Sequence, residues 1–225
     1  MRTRSTTTTY FSRLLVALAL LLCGAGAEAA GGIKDIFKGS KVDRQEQQEQ
    51  EVDIFYLTLE DNIYEPAVTR NAEWVAATQL SEARNLKKKG YMVELMRSGE
   101  VIVITIPAGQ LFAPNDTVLT DLGLRALKPL SRYLETPEMW KMLLVMHTDN
   151  TGSDAYLRTL SRARVDAVYG WFDATGKADF VVPYALGPDE PLKPNNSIDN
   201  RRLNRRLEIY LVPGRTMLRR AAEKK

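Results

Sequence analysis

Apolar residues in this chain follow two alternating patterns, short runs and longer stretches with helical spacing. The short runs predict five strands, at residues 91–97, 101–106, 142–146, 180–186 and 205–212. The Ser98-Gly99 pair between the first two runs predicts that they form a β-hairpin. The run at 142–146 contains no polar residue, which is typical of a central strand covered on both faces.

The stretches with helical spacing lie between these runs. Thr120 or Asp121 is expected to cap a helix that runs to about Glu135. A second helix is expected from about Ala155 to Ala174, with Gly176 ending it. Strands that alternate with helices indicate an α/β protein, so the pattern predicts a two-layer sandwich with helices packed on one sheet.

Composition divides the chain into five segments. They are predicted to be a signal peptide (1–27), a polar tether (28–53), a helical N-terminal segment (54–90), the α/β domain (91–214) and a basic tail (215–225). The helical segment carries apolar residues at helical spacing and ends in Lys87-Lys88-Lys89-Gly90, which is a helix stop signal. Residues 91–214 are expected to close one core and to fold alone.

The N-terminus predicts export. Arg2, Arg4 and Arg13 precede or flank an apolar stretch at 14–22, and small residues follow it, as in a cleavable secretory signal. Cys23 allows a second interpretation, in which the cysteine is lipidated, although Leu22 is larger than the residue that normally precedes such a cysteine. We therefore expect a location in the periplasm or on the periplasmic face of the outer membrane. Outer-membrane association is expected through the N-terminal segment or a lipidated Cys23.

The charge balance and the rare residues exclude several kinds of chemistry. The chain has 31 basic and 28 acidic residues, and three of the basic ones lie in the predicted signal peptide, so the mature chain is close to neutral. Near neutrality gives no support for nucleic-acid binding. With one cysteine and one histidine in the whole chain, the sequence predicts neither a disulfide nor a zinc site, and no cofactor.

Two arginines stand on faces that are otherwise apolar. Arg164 falls in the middle of the apolar face of the second helix, whereas Arg162 falls on its solvent side. Arg205 alternates with Leu207 along the last predicted strand. The loop after the central strand carries Asp149, at the sheet end where α/β proteins commonly bind ligands.

Two interpretations of these charges remain open from the residues alone. Two arginines and one carboxylate suit a zwitterion that carries both a carboxylate and an ammonium group. Alternatively, an internal Asp–Arg ion pair holds the loop, because structural ion pairs are common. Arg164 is expected about 16 Å along its helix, so Asp149 meets it only if the loop folds back along the helix.

Two sequence blocks resemble the signature of the OmpA-like domain family. The first is MHTDNTGSDAY at 146–156, followed by Leu160-Ser161 and Ala163-Arg164, and the second is NRRLEI at 204–209. The family includes the C-terminal domains of OmpA and of the flagellar stator protein MotB, and the peptidoglycan-associated lipoprotein. The similarity covers about residues 91–214, and the two blocks occur in the right order and spacing.

The resemblance implies a fold, a function and a ligand site. The fold is a two-layer α/β sandwich with a βαβαββ core and helices on one mixed sheet. The function is non-covalent binding of peptidoglycan through the diaminopimelate of the stem peptide, without enzyme activity. Asp149 is then expected to bind the ammonium group and Arg164 the carboxylate, with Arg205 lining the same pocket and Asn150 and Thr151 offering backbone amides.

Three positions depart from the family pattern. Met146 stands where the family usually has Gly, Leu157 stands where it has Asn, and Asn200-Arg201 replaces Gly-Arg. Met146 and Leu157 are expected to alter the packing of the loop, and they bear on affinity for the ligand more than on the fold.

The sequence leaves three rival functions. One is an envelope scaffold with the OmpA-like fold and little or no wall binding. Another is an enzyme using His147, Asp149 and Ser161 as a triad, which the mid-helix position of Ser161 disfavours. The third is a motor-type force coupler, which the cleavable signal disfavours.

Overall fold

The computed structural model describes residues 54–136, 138–175 and 178–224. The predicted signal peptide, the tether and Cys23 lie outside the described residues. The five strands are β1 (Met92–Met96), β2 (Val101–Pro107), β3 (Trp140–His147), β4 (Val181–Gly187) and β5 (Arg206–Pro213). They form one sheet in the order β1-β2-β5-β3-β4, in which β3 and β4 are parallel and the other neighbours are antiparallel. The predicted α/β class with one mixed sheet is therefore confirmed.

Helices account for most of the remaining described residues. They are α1 (Leu59–Tyr64), α2 (Ala72–Lys88), α3 (Ala108–Leu111), α4 (Asp121–Leu127), α5 (Asp154–Ala174), α6 (Ile198–Asn204) and α7 (Arg215–Glu223). Thr120 caps α4 by accepting from the Gly123 amide, as the sequence predicts. The helix expected to run to Glu135 changes to a 3₁₀ stretch at Lys128–Leu134, where Pro129 lacks the amide that would continue the α-helix.

The central strand β3 separates two apolar layers. Met142, Leu144 and Met146 face the main core, where α2, α4 and α5 cover the sheet. Leu143 and Val145 face the opposite side, which we call the back face. Both layers are buried, as predicted for an uninterrupted apolar strand.

The back face is covered by residues 54–66, which we call the strap. Ile63 of the strap is buried there, and Ile54 and Leu59 pack beside it. Lys141 of β3 is also buried on this side, and its ammonium donates to Asn62 Oδ1 at 2.8 Å and to the Glu65 carbonyl. The strap thus provides a buried lysine with neutral oxygen acceptors.

Two further helices lie in segments that the sequence divided from the α/β domain. Ala83 and Leu86 of α2 are buried in the main core. The expected basic tail contains α7, because Met217 and Ala221, four residues apart, bury one helical face against Val75 and Met139. The segment boundaries at 90/91 and 214/215 stay predictions, for which a truncation experiment is described below.

Three connections meet at the end of the sheet where β3 stops. One is the loop 148–153 between β3 and α5, and another is the loop 112–120 between α3 and α4. The third is the junction of α6 and β5 at Arg205. Within the part of the chain that the structure describes, no helix has the length and apolarity needed to span a membrane.

Candidate functional site

The three connections enclose a cleft with a volume of about 560 Å³. Its lining combines apolar and charged side chains, including Phe112, Leu122, Tyr156, Leu157, Leu160, Asp149, Thr151, Arg164 and Arg205. Four of the five predicted site residues therefore lie on one cleft. Asn150, the fifth, is exposed and lies outside this lining.

Asp149 is the buried anion of the cleft, with 4% of its surface exposed. Its Oδ1 accepts the Thr151 amide at 2.8 Å, and its Oδ2 accepts a hydrogen bond from Arg205 Nη1. Gly152 has a φ of +137°, a conformation that favours glycine, and lets the loop turn directly into the Ser153 cap of α5. Both carboxylate oxygens are therefore occupied within the protein.

Arg164 is the buried cation, with 5% of its surface exposed. Its Nε donates to the Asp116 carbonyl at 2.8 Å and its Nη2 to the Ala113 carbonyl at 3.3 Å. The guanidinium carbon lies 5.1 Å from the centre of the Phe112 ring, within cation–π range. Burial lowers the pKa of Arg164 and the charge of Arg205 adds to this, although Tyr156 and Asp116 oppose the change. No ion pair among the described residues includes Arg164.

Arg205 sits one residue before β5, where α6 ends. Arg205 precedes the strand instead of belonging to it, and its side chain is 41% exposed and turns into the cleft, on the side of the sheet that α5 covers. Its backbone is held on both sides: the amide donates to Arg201 O at 3.1 Å, and the carbonyl accepts from the Ala108 amide at 2.9 Å. Arg205 therefore combines a fixed backbone with an accessible side chain.

The sequence predicts that Asp149 meets Arg164 only if the loop after β3 folds back along α5, and the structure shows that the two residues have different partners. The two side chains line the same cleft but do not pair with each other. The loop 112–120 reaches Arg164 with two backbone carbonyls, while Arg205 reaches Asp149 from the start of β5. The internal Asp–Arg pair therefore exists, but it engages Arg205 and leaves Arg164 without a carboxylate.

Several cleft residues were not singled out from the sequence. Ala113 and Asp116 act through their backbone carbonyls, which side-chain patterns do not reveal. Tyr156 donates to Asn115 Oδ1 at 3.2 Å and so joins α5 to the loop 112–120. The available signal was Pro114-Asn115-Asp116, a turn sequence in which Asn115 has a φ of +58°.

The structure does not bring together the residues of the hypothetical catalytic triad, His147, Asp149 and Ser161. His147 lies on the back face, where its Nε2 is 3.4 Å from Glu208 Oε2. Ser161 lies on the opposite side of the sheet and donates to the Arg158 carbonyl of its own helix at 3.0 Å. Asp149 is engaged by Arg205 in the cleft, so each member of the triad has a different neighbour.

The sheet order, the helical layer and the cleft define an α/β domain with the OmpA-like fold. No family model matches the chain. A MotB-like protein from Desulfovibrio vulgaris superposes with a TM-score of 0.57 at 24% identity, covering 64% of this chain and 98% of that one. The cell wall anchor of the T6SS from Pseudomonas aeruginosa gives 0.50 at 26% identity, covering 61% and 96%. These likenesses confirm the resemblance at the level of the fold.

A curated relative adds a likeness in sequence. The Escherichia coli protein named as the probable lipoprotein YiaD is 28% identical over 128 residues, which is 56% of this chain. The match spans 58% of the length of that relative, so its remaining part has no counterpart in the comparison.

Proposed function

We propose that this domain binds peptidoglycan non-covalently, through the zwitterionic head group of diaminopimelate in the stem peptide. In this proposal the ligand carboxylate binds Arg164 and Arg205, and the ligand ammonium binds Asp149. The backbone amides of Asn150 and Thr151 were expected to face the ligand, but the Thr151 amide donates to Asp149 Oδ1 and therefore holds the carboxylate in place. Asn150 lies beside it in the same loop and offers the remaining amide of the two. The proposal includes no catalytic step and no cofactor.

The observation that carries this proposal is that the protein compensates the buried charge of Arg164 only in part. A buried guanidinium costs several kcal/mol unless an anion or a full set of acceptors compensates it. Two backbone carbonyls and the Phe112 ring compensate Arg164 in part, and Nη1 takes part in none of its hydrogen bonds within the described residues. A ligand carboxylate supplies the missing anion, and the guanidinium fork suits a carboxylate geometrically.

The similar proteins support a role at the cell wall. The Pseudomonas aeruginosa structure is a cell wall anchor by name, and the Escherichia coli relative is named as a lipoprotein. Together with the export signal predicted for residues 1–27, they support a place in the cell envelope, in the periplasm or on the periplasmic face of the outer membrane. Attachment to that membrane through the N-terminal segment or a lipidated Cys23 is part of the same proposal.

Co-sedimentation with purified sacculi, followed by titration with a defined diaminopimelate muropeptide, tests the proposal. Asp149→Ala and Arg164→Ala are expected to weaken binding about ten- to hundredfold, since each removes a charge-assisted hydrogen bond. Arg162→Ala is the matched control, because this side chain is 57% exposed on the same helix and lies 3.8 Å from Asp166. An envelope scaffold without wall affinity would leave the wild type in the supernatant, and that result would overturn the proposal.

A further inference from the structure

The two buried charges of the cleft, Arg164 and Asp149, differ in whether the protein already supplies an oppositely charged partner. Arg164 is buried and held by two carbonyls of a loop, so its guanidinium is already in place. Asp149 is equally buried, but Arg205 and the Thr151 amide occupy its two oxygens. A carboxylate can therefore approach Arg164 directly, whereas an ammonium group competes for Asp149 with a protein cation.

Of the two groups bound to Asp149, Arg205 is the one that can leave. The Thr151 amide belongs to the same tight loop as Asp149, so it moves only with the loop. The side chain of Arg205 is 41% exposed and makes one ion pair among the described residues, while its backbone is fixed at both the amide and the carbonyl. Rotation of its side-chain torsions alone frees Asp149 without moving β5 or α6.

We propose that Arg205 occupies the ammonium position of the cleft in the free protein and that the ligand exchanges it. This inference rests on the proposed function. On binding, the ligand ammonium replaces the Arg205 guanidinium on Asp149, and the released guanidinium joins Arg164 on the ligand carboxylate. One internal ion pair is replaced by contacts that the ligand makes with all three charges, and the net charge of the cleft is unchanged by a zwitterion.

The exchange makes Arg205 a determinant of specificity. A ligand with an ammonium group and no neighbouring carboxylate must displace Arg205 and gives it no new partner. A zwitterion displaces Arg205 and supplies that partner in the same step. The cleft is therefore expected to discriminate against amine-only ligands because their binding leaves the displaced guanidinium without an anion.

Two stem peptides that differ only at the third residue, meso-diaminopimelate or L-lysine, provide the test by calorimetric titration. Wild type is expected to prefer the diaminopimelate peptide at least tenfold. Arg205→Ala is expected to weaken binding of the diaminopimelate peptide about tenfold, as one charge-assisted bond is lost, and to strengthen binding of the lysine peptide severalfold. Arg202→Ala, which removes an exposed charge from α6, is the control and is expected to change neither affinity by more than about twofold.

The opposite signs of the two effects are the decisive feature. If Arg205→Ala weakens both peptides or leaves both unchanged, the exchange is wrong while wall binding stands. If wild type does not bind the diaminopimelate peptide, the proposed function itself fails, and the exchange fails with it. Should Arg205→Ala not fold, NMR of the wild-type Arg205 guanidinium during titration decides: the Asp149 pair is expected to be lost at saturation, and its persistence would overturn the exchange.

Discussion

The buried amine of Lys141 links the strap to the sheet, and its charge gives a stability effect that depends on pH. Lys141 is 4% exposed, and its ammonium donates to Asn62 Oδ1 and the Glu65 carbonyl. Burial lowers the pKa of Lys141 from 10.5 to about 8, although the charge of Glu65 opposes the change and that of Arg97 adds to it. The folded protein therefore loses this proton more easily than the unfolded chain does.

The direction of the effect follows from proton binding. Below pH 8 the amine is charged in both states, so the cost of burying the charge is fully present. Between pH 8 and 10.5 the unfolded chain binds more protons than the folded protein, so the free energy of unfolding rises with pH. At about 1.36 kcal/mol per pKa unit the upper limit is about 3 kcal/mol, and relaxation of the protein around the buried amine reduces the expected gain to about 1–2 kcal/mol.

Urea unfolding of wild type and Lys141→Met between pH 7 and 9.5 measures this gain. The free energy of unfolding of wild type is expected to rise relative to that of Lys141→Met by about 1 kcal/mol over this range. Groups common to both proteins, including the buried tyrosines, cancel in the difference. Lys128→Met, at an exposed lysine, is the control and should follow wild type. Parallel curves for wild type and Lys141→Met would refute the argument.

Three further outcomes follow from the structure. Burial alone raises the pKa of Glu208, but His147, Tyr210 and the charge of Arg206 lower it to about 2, so Glu208 stabilises the fold above pH 4.5. Glu208→Gln is expected to flatten the loss of stability between pH 4.5 and 2, measured by acid titration of the folded fraction. A fragment of residues 91–214 is expected to unfold cooperatively, but at a lower temperature than residues 54–224. The fragment lacks the buried Leu86, and burial of such a side chain contributes about 1.5–3 kcal/mol. A calorimetric scan with no transition would show that residues 54–90 belong to the domain. Muropeptide affinity is expected to change less than about threefold between 50 and 300 mM salt, because a zwitterion leaves the cleft charge unchanged; a steep decline would instead indicate adsorption to acidic polymer.

Local periodicity was enough to predict β3 and α5, two of the elements that position the cleft. The uninterrupted apolar run of β3 and the helical spacing of α5 depend only on neighbours in sequence, so they survive in the folded protein. The same spacing correctly turned Arg164 inward and Arg162 outward, and the alternation along β5 placed Arg206 beside Glu208, whose atoms lie 2.7 Å apart.

Contacts between residues that are distant in sequence cannot be predicted from local periodicity. The acceptors of Arg164 are backbone carbonyls of the loop 112–120, some 50 residues upstream, and any residue type supplies such a carbonyl. The strap that covers the back face was predicted only as part of a helical segment, because its contact with Lys141 joins positions 62 and 141. Periodicity also could not predict that Asp149 pairs with Arg205 and not with Arg164. Arg205 is positioned by the end of α6, a helix that the sequence did not predict.

Stability alone does not account for the contacts that Arg164 makes in the cleft. An apolar side chain of similar length at this position would pack against Phe112 without the desolvation cost of a guanidinium, and buried charges are often replaced by apolar residues without loss of stability. A carboxylate fixed beside Arg164 would also lower that cost, but it would occupy the guanidinium fork. The observed arrangement does neither: the carbonyls of Ala113 and Asp116 hold the guanidinium in place, and no carboxylate among the described residues forms an ion pair with it. By this argument such a cation contributes less to stability than either alternative would, and it can accept an anion from outside the protein, which is what the proposed binding of a ligand carboxylate requires.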